Sequence, residues 1–501
     1  RDQQLLVERQ NVYDGTWTKT TSMGWMFVPL AQYHGGGAAA MPPVDGDAVY
    51  FDKDSPSMTW DLDEVTLASW TQDADYTGTN TFLTGPVLEG EAAQTHHGVL
   101  SADGMRRELI VTGDITLNGG RWHQADTPSL AKTHPGWTTG EGVYRLIVRA
   151  GGNITIGADA HVSSDNAGFR KTQGLGYIKD RGASHGGTAY GYGKGDSSFT
   201  ANVYGRVRTP VTHGSGGEGT NGYGSGPIGA GGGAVELSAD GAMILDGQVS
   251  ASANTGVSYN SGAGGSVYLK AAQLTGSGSV SASSFARDTG AGAGGRIAFI
   301  LTGAGATLDG FTGSVLCDGN TTCCHAGTVY KETPADRDEG GVLEIVGTGK
   351  LATGYRGNYT LMLPNGEDLT FKRIVLTNKV MFAVGSGATV KTDELKTYSK
   401  DDYVIFAGGR LVVPNGEAFA DVSLRNDFHA SQIGTPEGGA GHERARERHD
   451  LHHRPWNRLR RHIPHAFGFE GHPYGGRQHG LRPLSREFLG GRIRPRERRV
   501  R

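Results

Sequence analysis

Gly232-Gly233-Ala234-Val235-Glu236-Leu237 recurs as Gly264-Gly265-Ser266-Val267-Tyr268-Leu269 and again as Gly294-Gly295-Arg296-Ile297-Ala298-Phe299, with starts 32 and 30 residues apart. A second short strand pattern follows each copy: Gln248-Val249-Ser250-Ala251, Ser279-Val280-Ser281-Ala282 and Ser314-Val315-Leu316-Cys317. Near-identical motifs at nearly constant spacing mark units that bury a face only against their neighbours. The spacing predicts one coil plus a loop per repeat. Val235, Val267 and Ile297 are expected to stack inward as one ladder, with the polar residues between them facing water. A β-sandwich uses similar strands but does not predict such a period.

The same texture extends in both directions. Upstream, Val49-Tyr50-Phe51, Leu109-Ile110-Val111, Ile115-Thr116-Leu117, Leu146-Ile147-Val148, Ile154-Thr155-Ile156 and His161-Val162-Ser163 are short alternating runs bounded by Gly, Asp or Asn. Alternation of period two means strands, and the Gly-Asp and Asn-Gly pairs between them supply corners. Downstream, Leu343-Glu344-Ile345-Val346, Ile374-Val375-Leu376, Val404-Ile405-Phe406 and Leu411-Val412-Val413 continue the series.

Composition agrees. Gly accounts for 82 of 501 residues without a Gly-X-Y period, which excludes collagen, while charged residues are only 20%. Abundant Gly with Val, Ile and Thr fits many short strands joined by tight turns. The net charge of −3 hides an asymmetry: residues 441–501 hold 16 Arg, no Lys and 6 acids, leaving 32 bases and 45 acids before them. No apolar run is long enough to span a bilayer, so no membrane span is expected. An opening at Arg1 without Met suits a mature or truncated product, and with it an extracellular or cell-surface location. Sequons at Asn153, Asn320 and Asn358 permit glycosylation in a compartment that performs it.

The GG[AS]V-x-L…GS[VL]SA…GAGGRIAF pattern, with Gly46-Asp47-Ala48-Val49-Tyr50-Phe51-Asp52 and Val111-Thr112-Gly113-Asp114-Ile115-Thr116 upstream, resembles Gly-rich parallel β-helix proteins of bacterial surfaces, adhesins or autotransporter passengers of the pectin-lyase-like superfold. The likeness covers roughly residues 45–420. The expected fold is all-β: a right-handed parallel β-helix, a solenoid, over 45–435. It follows a lead-in or cap at 1–44 and precedes an Arg/His-rich basic tail at 436–501. That superfold serves many functions, so the fold does not choose among them. The favoured expectation is an extracellular surface or matrix protein that binds extended polymers, adhesive or structural. The alternative is a carbohydrate-active enzyme, a polysaccharide lyase or glycoside hydrolase. The expected partner in either case is a polysaccharide or cell-surface polymer rather than nucleic acid.

The longest irregular stretch, 165–231, is rich in Gly and Tyr and carries the candidate binding residues His185, Tyr190, Tyr192, Asp196, Tyr204 and His213. Aromatic rings beside polar groups stack on sugar rings and bond their hydroxyls. The competing reading is a surface loop that packs its own rings on the flank of the fold. Gly224-Ser225-Gly226-Pro227-Ile228-Gly229 matches a dinucleotide fingerprint in form only, because a strand and not a helix is expected after it. No catalytic residue is singled out. Asp61 and Asp63 alternate on one strand, where Ca²⁺ is a possible cofactor through oxygen ligands; most such Asp are expected to be turn residues, and no metal site is assigned. Cys317, Cys323 and Cys324 fit a local disulfide, free thiols or soft-metal ligands, with no recognised zinc spacing. The tail reads either as an anion-binding segment or, given 16 Arg without Lys, as a non-native one.

Overall fold

A computed structural model describes residues 43–85 (except 44, 56, 61, 63 and 64), 108–189 (except 178, 180 and 181), 203–218, 229–254, 260–285, 292–319, 325–347, 360–398, 402–413 (except 408) and 423–425, with four two-residue strands between 19 and 40. The tail lies outside the described residues, as do most of 1–44, Asp61, Asp63, Tyr190, Tyr192, Asp196, Cys323 and Cys324.

The described chain is nearly all β, and its large sheets are parallel except for one antiparallel pair. Strand Leu109–Val111 joins an eleven-stranded sheet, Ile115–Leu117 a six-stranded sheet, and Arg121–Gln124 a seven-stranded sheet. The chain then visits the three in the same order with Leu146–Ala150, Ile154–Ile156 and His161–Ser163. Ala234–Ala239, Ala242–Leu245 and Gln248–Ser250 follow, then Ser266–Ala271, Gln273–Thr275 and Ser279–Ser281.

Registers match the repeat. Val235 pairs with Val267 and Val267 with Ile297, all three buried, so the expected inward ladder is present. It extends to Leu146 on one side and Val329 on the other. Trp122, Val162, Val249 and Val280 form the equivalent row on the seven-stranded sheet.

The Gly-Gly pairs have a steric cause. A Cβ on Gly265 would lie 1.9 Å from the Gly233 carbonyl oxygen, on Gly295 2.0 Å from that of Gly265, and on Gly327 1.8 Å from that of Gly295. The first glycine of each pair is equally confined: Gly232, Gly264 and Gly294 abut the carbonyls of Ala251, Ala282 and Cys317. Only hydrogen fits between chains this close.

Turn Asp and Asn side chains tie each passage of chain to the next. Asp114 Oδ1 accepts from the Asn153 N–H (2.7 Å), and Asn153 Oδ1 from that of Ala242 (2.8 Å). Asp45, Asp165 and Asp246 act the same way on Thr66, Ser252 and Ser277. They bond the neighbouring passage, not only their own turn.

At Thr328–Glu332 the order changes. That strand pairs antiparallel with Val342–Val346, Tyr330 opposite Leu343. Thr370–Thr377, Thr389–Thr397 and Arg410–Val412 then extend the eleven-stranded sheet in parallel. They alternate along the chain with a four-stranded sheet containing Thr360–Met362, Met381–Gly385 and Tyr403–Ala407. The core crosses the sheet here. Ile297, Phe299 and Leu301 belong to the first core, whereas Ala298, Ile300 and Tyr330 pack with Leu343, Ile345 and Phe371 in a second. Strand Arg296–Leu301 is therefore buried on both faces.

Candidate functional site: the outer face of the seven-stranded sheet

The structure brings His185, Tyr204 and His213 together, but in the interior. His185 is fully buried; its Nδ1 lies 2.7 Å from the Gly264 carbonyl and its Nε2 2.7 Å from Thr212 Oγ1. Those partners fit a neutral ring that donates through Nδ1 and accepts the threonine hydroxyl. Burial, then the nearby Arg296 charge, pushes its pKa down to about 3. His213 is also fully buried, with Nδ1 3.2 Å from Thr127 Oγ1, and burial followed by Arg145 pushes it down to about 3. The Tyr204 ring lies 4.7 Å from that of His185, and its hydroxyl donates to the His213 carbonyl (2.6 Å). Arg296 closes the cluster, its Nε donating to the Tyr204 carbonyl (2.9 Å).

Neither histidine ring faces solvent, so neither is placed to meet a polymer. The described part of the insertion packs its rings against the repeats, and the physical reason is the glycine lattice. Gly214, Gly231 and Gly232 let backbones approach so closely that the side chains between them are sealed from water. Tyr190, Tyr192 and Asp196 lie outside the described residues.

An accessible constellation lies instead on the outer face of the seven-stranded sheet. In parallel register, Thr79, Arg121, His161, Gln248, Ser279 and Ser314 form one row across six strands. Thr81, His123, Ser163, Ser250, Ser281 and Leu316 form a second beside it. The first row is solvent-accessible throughout. At about 4.8 Å per strand it runs roughly 24 Å.

The chemistry is densest at its middle. His161 Nε2 lies 2.7 Å from Ser250 Oγ, and Arg121 Nη2 donates to Ser163 Oγ (2.7 Å). Arg121 stands 3.9 Å from Asp165, while Arg170 pairs with Asp126 at 3.0 Å. Burial and then Arg121 push His161 down to about 4, and the same two causes lower His123. At neutral pH the cluster thus holds two guanidinium–carboxylate pairs and two neutral imidazoles. It offers donors and acceptors with nearly balanced charge.

These residues flank buried Trp122, Val162, Val249 and Val280 and half-buried Val315 in Arg-Trp-His, His-Val-Ser, Gln-Val-Ser, Ser-Val-Ser and Ser-Val-Leu. The alternation was visible in the sequence, but which residues stand side by side depends on register across long intervening chain, as between strands His161–Ser163 and Gln248–Ser250.

Cys317 is a buried free thiol, its Sγ 3.6 Å from the Thr328 carbonyl, so the structure contains no disulfide from it. Burial raises its pKa well above the usual thiol range. Among the described residues, no three His, Cys, Asp or Glu side chains converge as metal ligands, and no helix is long and apolar enough to cross a membrane. Comparison with known protein families, curated proteins and solved structures finds no match to this chain.

Proposed function

We propose that the chain winds as a right-handed parallel β-helix and acts outside the cell as a surface or matrix protein, holding an extended polysaccharide along the outer face of its seven-stranded sheet. The winding accounts for three sheets entered repeatedly in one order. The observation that carries the function is the polar row from Thr79 to Ser314. A straight array of hydroxyl, amide, imidazole and guanidinium groups at strand spacing suits a ligand that is itself long and repeating. Each contact contributes little, so useful adhesion comes from many contacts along one chain.

The electrostatics favour binding over catalysis. A general base works best with a pKa near the working pH, and His161, pushed down to about 4, is a weak base at neutrality. Asp126 and Asp165 stand in ion pairs with Arg170 and Arg121.

The test is retention of the full chain on immobilised polysaccharides, compared with an Arg121→Ala, His161→Ala double variant. The parent is expected to be retained and the variant to elute early. Equal retention would remove the face as the binding site. Release of reducing ends or unsaturated uronates by the parent would establish the enzymatic alternative instead.

A further inference from the structure

Where the eleven-stranded sheet reverses, it leaves a groove of about 350 Å³, apart from the seven-stranded sheet's polar face. Its origin is the crossing of the core. Ile297 pairs with Val329 and Val329 with Glu344, while Phe299 pairs with Lys331 and Lys331 with Val342. Directly paired residues share a face, so the face that lines the first core upstream of the reversal continues beyond it as the groove.

Val342, Val346 and Val375 form an apolar floor, Leu308 stands on its wall, and Tyr398 sits on the rim with 63% of its surface exposed. Lys396 Nζ lies 5.5 Å from the centre of the Tyr398 ring, within cation–π range. Both cations that line the groove, Lys331 and Arg373, stand beside carboxylates, as does neighbouring Lys372. Lys331 Nζ pairs with Glu344 at 2.7 Å, Lys372 Nζ with Asp336 at 2.9 Å, and Arg373 with Glu394.

We infer that this groove binds a neutral saccharide, with Tyr398 as its stacking platform. The charge pattern selects the class. To bind at these lining groups a charged ligand must displace a partner from an existing pair, whereas a polyhydroxyl ligand donates to Glu344 and Asp336 and accepts from Lys331 and Arg373 with the pairs intact. The valine floor matches the C–H face of a sugar ring. The volume falls at the low end of ligand pockets, roughly 300–1,000 Å³, which suits a chain end or short segment. The inference rests on the polysaccharide reading but concerns a second site.

The experiment titrates the full chain with a neutral glucan hexaose and, separately, with a uronate hexaose, following saturation-transfer NMR. The neutral probe should bind more tightly. Tyr398→Ala should weaken it roughly five-fold, about one aromatic contact, and Tyr398→Phe should retain it. Equal binding by Tyr398→Ala, no binding of the neutral probe by the parent, or preference for the uronate would each overturn the groove assignment. Polymer retention lost in the Arg121, His161 double variant but kept in Tyr398→Ala reports on the sheet face alone, so the two readings fail separately.

Discussion

Single glycines explain why the repeats look as they do. The sequence suggests turn glycines, and Gly46 and Gly120, with φ of 85° and 71°, are such corners. The Gly-Gly pairs are different: space, not backbone conformation, demands them. The Gly265 carbonyl facing Gly295 belongs to a strand approach already held by backbone hydrogen bonds on both sides, so it has little freedom to retreat. Gly295→Ala is expected to destabilise the protein by about 3 kcal/mol, the upper end of overpacking. Gly305→Ala, left-handed but in open space, should cost about 1 kcal/mol. Urea midpoints at unchanged m-value check both, and equal losses would refute the steric account.

At the scale of elements, the strands were legible and the insertion was not. Leu109–Val111, Ile115–Leu117, Ile154–Ile156 and His161–Ser163 alternate buried and accessible residues as their period requires or nearly so. The insertion has no period, because what anchors it is distant. The Glu367 carboxylate accepts from the backbone N–H groups of Val207 (2.8 Å) and Arg208 (2.6 Å), 160 and 159 residues away. The Arg208 guanidinium then lies over the rings of Tyr330 and Phe371, 5.5 and 5.7 Å from their centres. Glu367→Ala should therefore speed hydrogen exchange at the Val207 and Arg208 amides by roughly ten-fold or more, since a hydrogen bond to a charged group is worth about 1.5–3 kcal/mol. Unchanged exchange at both amides would show that the clamp contributes nothing.

For the whole molecule, the buried histidines and half-buried His161 predict a dependence on pH. His185, His213 and His325 are pushed down to about 3 and His161 to about 4, chiefly by burial, against an ordinary value of 6.5. The unfolded chain therefore takes up protons that the folded chain refuses. The stability they contribute is fully present above about pH 6.5 and drains as pH falls towards the folded values, at up to about 1.4 kcal/mol per pH unit for each ring. Denaturant midpoints should fall steadily from pH 7 to pH 5, above the main carboxylate range. His185→Gln should lower that slope by up to one proton. An identical slope in the variant would place the proton uptake elsewhere.

The sequence by itself determined the strands, the inward ladder of Val235, Val267 and Ile297, and the spacing that stacks one repeat on the next, because these follow from local alternation and a constant period. Tertiary structure alone decided three further things. Register across long intervening chain aligned Arg121 with His161 and Gln248 in one row. Close backbone packing through glycine took His185 and His213 out of solvent. The antiparallel pairing at Tyr330 moved the core to the other face of the sheet and opened the groove beneath Tyr398. Each depends on which distant segments meet, and local pattern constrains what a strand buries but not which neighbour it buries it against.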